Sequence, residues 1–126
     1  MPFIHVKSLP FDRLFDASRA LEGITKDFAK EAGIALEHVT ATWEFLAPGH
    51  YASAGSAASR QPRGSHPILV DLLAPDLNSG ARVKKMLAAV ASSISKRAGV
   101  PVTNIFVNFR HARSGMVFDA GEIVRW

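Results

Sequence analysis

The sequence predicts an α/β fold: a tandem βαβ repeat forming one four-stranded sheet with two helices on one face. Three observations carry this. Apolar spacing runs strand-like, helix-like, strand-like, and then does so again. Lys30 to Gly55 aligns without a gap on Lys96 to Gly121, so that Ala32-Gly33 falls on Ala98-Gly99 and Ala54-Gly55 on Ala120-Gly121. Each half also opens on a proline-led apolar run, Met1-Pro2-Phe3-Ile4-His5-Val6 and His66-Pro67-Ile68-Leu69-Val70-Asp71. A parallel strand pair needs a crossover, and a helix is the usual one. Both helices on one face is the compact solution. It leaves the other face bare, and a second copy of the chain is the economical cover.

Each element has a local reason. Phe3 to Leu9 reads as a strand. Pro10 and Asp12 mark a helix start, and Phe11, Leu14, Phe15, Leu21, Ile24, Phe28 and Ala32 follow at helical spacing. Gly33 stands where a left-handed cap ends such a helix. Val39 to Leu46 is rich in β-branched and aromatic residues and reads as the second strand, closed by Pro48-Gly49. Residues 52–65, made of Ala, Ser, Gly, Arg, Gln and Pro, look like a linker. His66 to Leu73 is a continuous apolar run, as in a strand buried on both faces. Ser79 is an N-cap for a helix carrying Val83, Met86, Leu87, Val90, Ala91, Ile94 and Ala98, and Gly99 caps its end. Asn104 to Arg110 is the fourth strand, and Met116 to Trp126 forms a hairpin or an edge strand. The repeats thus span about 1–55 and 66–126, in a single domain of 126 residues.

Composition narrows the function. The chain is 48% hydrophobic and 21% charged, which excludes disorder throughout. It has no cysteine, hence no disulfide framework and no thiolate-zinc site. That fits a reducing cytoplasm. No run is long enough to span a membrane, and no signal-peptide pattern opens the chain. Residues 1–59 hold five basic and seven acidic side chains, and residues 60–126 hold ten and four, so the halves carry −2 and +6. This points to an anionic partner near the second half, with small carboxylates and nucleic acid both open.

A βαβ unit that begins Met-Pro and ends in a Gly-containing hairpin resembles the tautomerase superfamily. Leu36-Glu37-His38-Val39, then Ala47-Pro48-Gly49-His50-Tyr51 through Ala54-Gly55, looks like the second strand and hairpin of 4-oxalocrotonate tautomerase subunits. Asn104-Ile105-Phe106-Val107-Asn108-Phe109 is similar to the last core strand of macrophage migration inhibitory factor. The resemblance implies a barrel-type homotrimer and a cofactor-independent isomerase. It also implies that Met1 is removed and that Pro2 becomes the catalytic base for keto-enol tautomerisation of a small 2-oxo or enol carboxylic acid.

The chemistry suits a terminal proline. An α-amine titrates near neutrality, at about 7.7–8.0. Burial and nearby cations lower that value and free the amine to take a proton. Pro67 has an amide nitrogen and cannot act so, and one site per chain is expected. Lys7 and Arg113 are both open as the cation near Pro2.

The resemblance also implies binding residues. The diacid-binding arginines of the 4-oxalocrotonate pattern fall on Asp12 and Thr40, which leaves Arg13 as the candidate at the helix start. Tyr51 matches the hairpin aromatic that would cover the site. Ile34 stands where the factor has a lysine. Phe106 keeps an aromatic wall without a hydroxyl, and Asn108 matches. Strand alternation puts Phe106, Asn108 and Arg110 on the face away from the helices, with Thr40, Thr42 and Glu44 on the equivalent face of the second strand. Arg110 is therefore a candidate carboxylate binder or the partner of Glu44 at a subunit contact.

Three other functions compete. An inactive trimeric scaffold would explain the unmatched arginines. A hydratase or dehalogenase would use Asp119 or Glu122 to activate water. A nucleic-acid module would need more aromatics among its basic residues than Phe106 supplies. The histidines lack metal-ligand spacing, and no cofactor or metal is expected.

Overall fold

The computed structural model describes residues 1–126. The elements are β1 (Phe3–Ser8), α1 (Ala17–Ala32), β2 (Thr40–Phe45), β3 (Tyr51–Ser53), β4 (Ser56–Ala58), β5 (Ile68–Pro75), α2 (Gly80–Ala98), β6 (Ile105–Ala112), β7 (Val117–Asp119) and β8 (Glu122–Val124). Single 3-10 turns, Leu36–His38 and Val102–Asn104, lead into β2 and β6.

The main sheet has the order β2-β1-β5-β6. β1 runs parallel to β2 and β5 parallel to β6, each across its helix, while β1 and β5 meet antiparallel at the centre. The two units are thus joined through their first strands, and each unit's first strand starts where the other's ends. Alternation sends Ile4, Val6, Ile68, Val70 and Leu72 inward. They meet Ile24 and Phe28 of α1 and Met86, Val90 and Ile94 of α2 in one core. Truncating a fully buried aromatic such as Phe28 to alanine would cost about 3–5 kcal/mol.

The repeat holds down to single hydrogen bonds. Gly33 and Gly99 both take the left-handed conformation and cap α1 and α2. The hairpins β3-β4 and β7-β8 turn on Ala54-Gly55 and Ala120-Gly121, with positive φ at both residues of each pair, as a two-residue hairpin turn demands. Gly49 donates to the Ala58 carbonyl and Gly115 to that of Val124, both at 2.9 Å.

Two expectations change. The first helix starts at Ala17, capped by Asp16, whose carboxylate accepts from the Arg19 amide at 3.1 Å. Phe11 and Phe15 have helical spacing, but they are drawn instead onto β2. Phe15 lies 5.0 Å from Trp43, and Phe11 lies 6.2 Å from both Trp43 and Phe45. Residues 52–65 are built into the fold. After the β3-β4 hairpin, buried Gln61 accepts from the Leu9 amide at 3.2 Å and donates to the His66 carbonyl at 2.8 Å. Asn104 donates to the carbonyls of Pro62 and Ser65 at 3.1 and 2.8 Å.

The helices are tied together by charge as well as by core. Arg97 lies flat over α1 at Gly23, where a Cβ would come within 2.0 Å of the guanidinium carbon. It donates to Asp27 at 2.9 Å, and Ser93 donates to the same oxygen at 2.7 Å. Partial burial alone would raise the Asp27 carboxyl. The hydrogen bonds from Ser93 and Arg97, with the charges of Arg97 and Lys96, outweigh it and hold the group below the usual carboxylate range. No helix is long and apolar enough to cross a membrane.

Candidate functional site

The chain start is built into the sheet. Pro2 is buried, and its carbonyl accepts from the Thr40 amide at 3.0 Å. The amine of Met1 donates to the His38 carbonyl at 2.9 Å. Around it opens a pocket of about 350 Å³, lined by Met1, Phe3, Glu37, His38, Thr40, Leu73, Val117, Phe118 and Asp119. Burial pulls the terminal amine below its ordinary value, while the Asp119 carboxylate works against that pull.

Three parts of the chain supply these walls. The turn before β2 brings Glu37 and His38. The sheet brings Phe3 in register with Thr40 on one side and Leu73 on the other. The β7-β8 hairpin belongs to the second unit. Because β1 and β5 are antiparallel, that hairpin reaches the start of β1 and the β3-β4 hairpin reaches the start of β5. Sequence reasoning missed Glu37, His38 and Phe118 as pocket residues. The repeat, combined with antiparallel central strands, was the signal that could have found Phe118.

The residues singled out from the sequence are dispersed within one chain. Thr40 and Asp119 line the pocket, and Pro2 lies in the chain between its wall residues Met1 and Phe3. Tyr51 is at the other end of the sheet, where its hydroxyl donates to the Pro67 carbonyl at 2.7 Å and its ring meets His66 edge-on at 5.1 Å. Burial raises its phenol above the ordinary value. Arg13 is also at that end, donating to the Ala98 carbonyl at the close of α2, with its guanidinium 5.2 Å from the Phe11 ring centre. Arg82 does the same for the first helix, donating to Ala32 at 3.0 Å, so each unit caps the other's helix with an arginine.

Phe106, Asn108 and Arg110 lie on the outward face of the edge strand β6. Asn108 donates to Asp71 at 3.4 Å, and Arg110 stands 3.7 Å from the same oxygen. Arg110 is in register with Leu73, a pocket residue. Glu44 sits on the opposite edge strand, 3.3 Å from His5. Three strand spacings, about 14 Å, separate β2 from β6, so Glu44 can meet Arg110 only across two copies. Lys7 points outward at the far end of β1 from Pro2. Several basic residues of the second half have partners within the chain: Arg82 serves Ala32, Lys96 and Arg97 serve Asp27, and Arg110 faces Asp71.

Neither a protein-family model nor a curated protein matches the chain. Solved structures do. A wild-type fused 4-OT, a symmetric trimer, superposes with a TM-score of 0.80 at 15% identity, covering 97% of this chain and 94% of its own. The chain has the tautomerase-superfamily fold. N1, of the cis-3-chloroacrylic acid dehalogenase family, gives 0.78 at 16% identity over 97% of this chain and 82% of its own. A macrophage migration inhibitory factor homologue from Prochlorococcus marinus gives 0.75 at 17% identity over 97% and 98%. Similarity therefore spreads over three branches of one fold.

Proposed function

We propose that the protein is a cofactor-independent tautomerase of the cytoplasm, active as a homotrimer, with the Pro2 amine as general base once Met1 is removed. The carrying observation is the chain start itself: a buried proline opens a strand beside a pocket that depresses the charged form of a terminal amine. The free amine would take a proton beside a substrate carbonyl and return it at the other end of the enol. The Thr40 hydroxyl and the His38 imidazole are the wall groups that could donate to the developing enolate oxygen. The trimer of the fused 4-OT supports the assembly, since the face carrying Phe106, Asn108 and Arg110 is bare in one chain. Those three side chains would then serve a subunit contact or a site completed across it.

Intact mass of untagged protein is the first test. Loss of one methionine, with enol-to-keto conversion that falls sharply in Pro2→Ala, is the expected result. Full retention of Met1 would make the nitrogen an amide and leave a trimeric scaffold as the function. Asp119 favours a second reading, addition of water to an activated double bond, because its carboxylate lines the same pocket and acts on the terminal amine. Uptake of labelled oxygen from water by an electron-poor alkene supports it; keto-enol exchange without uptake removes it.

A further inference from the structure

We propose that the cleft between the start of α1 and the end of α2 binds a small, multiply charged oxyanion of the phosphate class. The inference is independent of the tautomerase reading. The cleft has a volume of about 380 Å³ and is lined by four cations, Arg13, Arg19, Lys96 and Arg97. Its lining carboxylate, Asp16, is engaged as the N-cap of α1. All four cations belong to one chain, so their charge does not wait on a neighbour. The cleft also lies in the helix layer, on the other side of the sheet from the bare face that carries Phe106, Asn108 and Arg110. Four like charges around one hollow repel one another, and an anion with two or more charges relieves that repulsion.

Two of the guanidiniums are held in place before any ligand arrives. Arg13 donates to the Ala98 carbonyl and stands 5.2 and 5.6 Å from the ring centres of Phe11 and Phe15. Arg97 packs on Gly23 and donates to Asp27 at 2.9 Å. A guanidinium has more N–H donors than these bonds use, in a planar fork that matches phosphate oxygens. Arg19 and Lys96 are exposed, and of the two only Lys96 has a side-chain partner in the chain, Asp27 at 3.4 Å. The first turn of α1 carries no acidic side chain, so the positive end of its dipole adds to the site. The repeat supplies a comparison. The matching cleft, between the start of α2 and the end of α1, is about 90 Å³ and is lined by Glu31, Ala32, Arg82, Lys85 and Met86. In the gapless alignment of the two units Glu31 falls on Arg97. One unit thus puts a carboxylate where the other puts a guanidinium, and the larger, cation-rich hollow is the one at the start of α1.

Calorimetric titration of the full-length protein with pyrophosphate, in a phosphate-free buffer of low ionic strength, tests this. The expected result is saturable binding, one anion per chain. Arg19→Gln with Lys96→Gln should weaken it about tenfold or more, the loss of two charge-assisted bonds. Lys84→Gln with Lys85→Gln, which removes the same net charge beside the matching cleft, should leave the affinity unchanged. Melting curves without ligand show whether each variant folds. Arg19→Gln alone changes an exposed side chain without a partner in the chain and should show a smaller loss in the same direction. Absence of binding to the unsubstituted protein at millimolar pyrophosphate overturns the proposal. So does binding that Arg19→Gln and the first pair leave unmoved, or that both pairs weaken equally, since the attraction is then diffuse. A single-stranded oligonucleotide held through Arg19 and Lys96 more tightly than pyrophosphate would overturn the small ligand in favour of a nucleic-acid backbone.

Discussion

The two ends of the central strand pair are built from the same repeat and finish differently. At one end Pro2 leads into β1 beside an open pocket under the β7-β8 hairpin. At the other, Pro67 leads into β5, and the equivalent space is filled. Tyr51 donates to the Pro67 carbonyl, His66 is buried with its ring nitrogen 2.7 Å from the Ser56 carbonyl, and Gln61 stitches the connecting chain to Leu9, Pro10 and His66. The difference follows from covalent continuity. A chain can start only once, so under the proposed removal of Met1 Pro2 would offer an amine, while Pro67 must remain an amide. The segment that reaches the second proline then occupies the room that a substrate would need.

The largest expected effect separates the ends by chemistry. Pro2→Ala should lower kcat about 10²–10⁴-fold, the usual worth of a positioned base. Pro67→Ala should leave the rate unchanged, and equal losses in the two variants would show that the ends are not distinct. Next comes the filling of the closed end. Gln61→Ala removes a buried side chain that bonds Leu9, Pro62 and His66, and should cost about 2–3 kcal/mol by denaturant midpoint without changing the rate.

Asp27, between the helices and remote from both ends, is the control. Asp27→Asn should cost about 2 kcal/mol near neutral pH. The folded-state carboxyl lies below its usual value, so its stabilisation is present above the ordinary carboxylate range and is lost as pH falls through the folded value. Wild-type and variant melting curves should therefore converge in acid. The smallest effect concerns the open end. Asp119 raises the Met1 amine, and the same influence on the Pro2 amine proposed to take its place means that Asp119→Asn should move the acid limb of the pH-rate profile to lower pH. A shift to higher pH would mean that Asp119 does not act on the base.

Much of the fold is legible because its signals are local and occur twice. Gly33 and Gly99 mark the helix ends, and Ala54-Gly55 and Ala120-Gly121 mark the hairpins. The start of α1 is not, because Phe11 and Phe15 have the spacing of a helix face and only the tertiary neighbours Trp43 and Phe45 reveal where they go. That Pro2 leads into a strand is legible. The pocket is less so. The resemblance implies that the first hairpin, with Tyr51, covers the site. The antiparallel pairing of β1 with β5 exchanges the hairpins, and this brings Phe118 and Asp119 there instead. Summed charge says nothing of where the cations go: Arg82 meets a helix-end carbonyl, and Arg97 and Arg110 face carboxylates.

The strand order has a consequence for how the molecule comes apart. Each unit puts its first strand at the seam, and each helix end is capped by an arginine of the other unit, so neither half encloses a core alone. Unfolding should be all-or-none, with no half-folded species between the extremes. A chain severed in the connecting segment should behave as an obligate pair: each fragment unstructured by itself, the mixture folded, and its melting temperature rising with concentration.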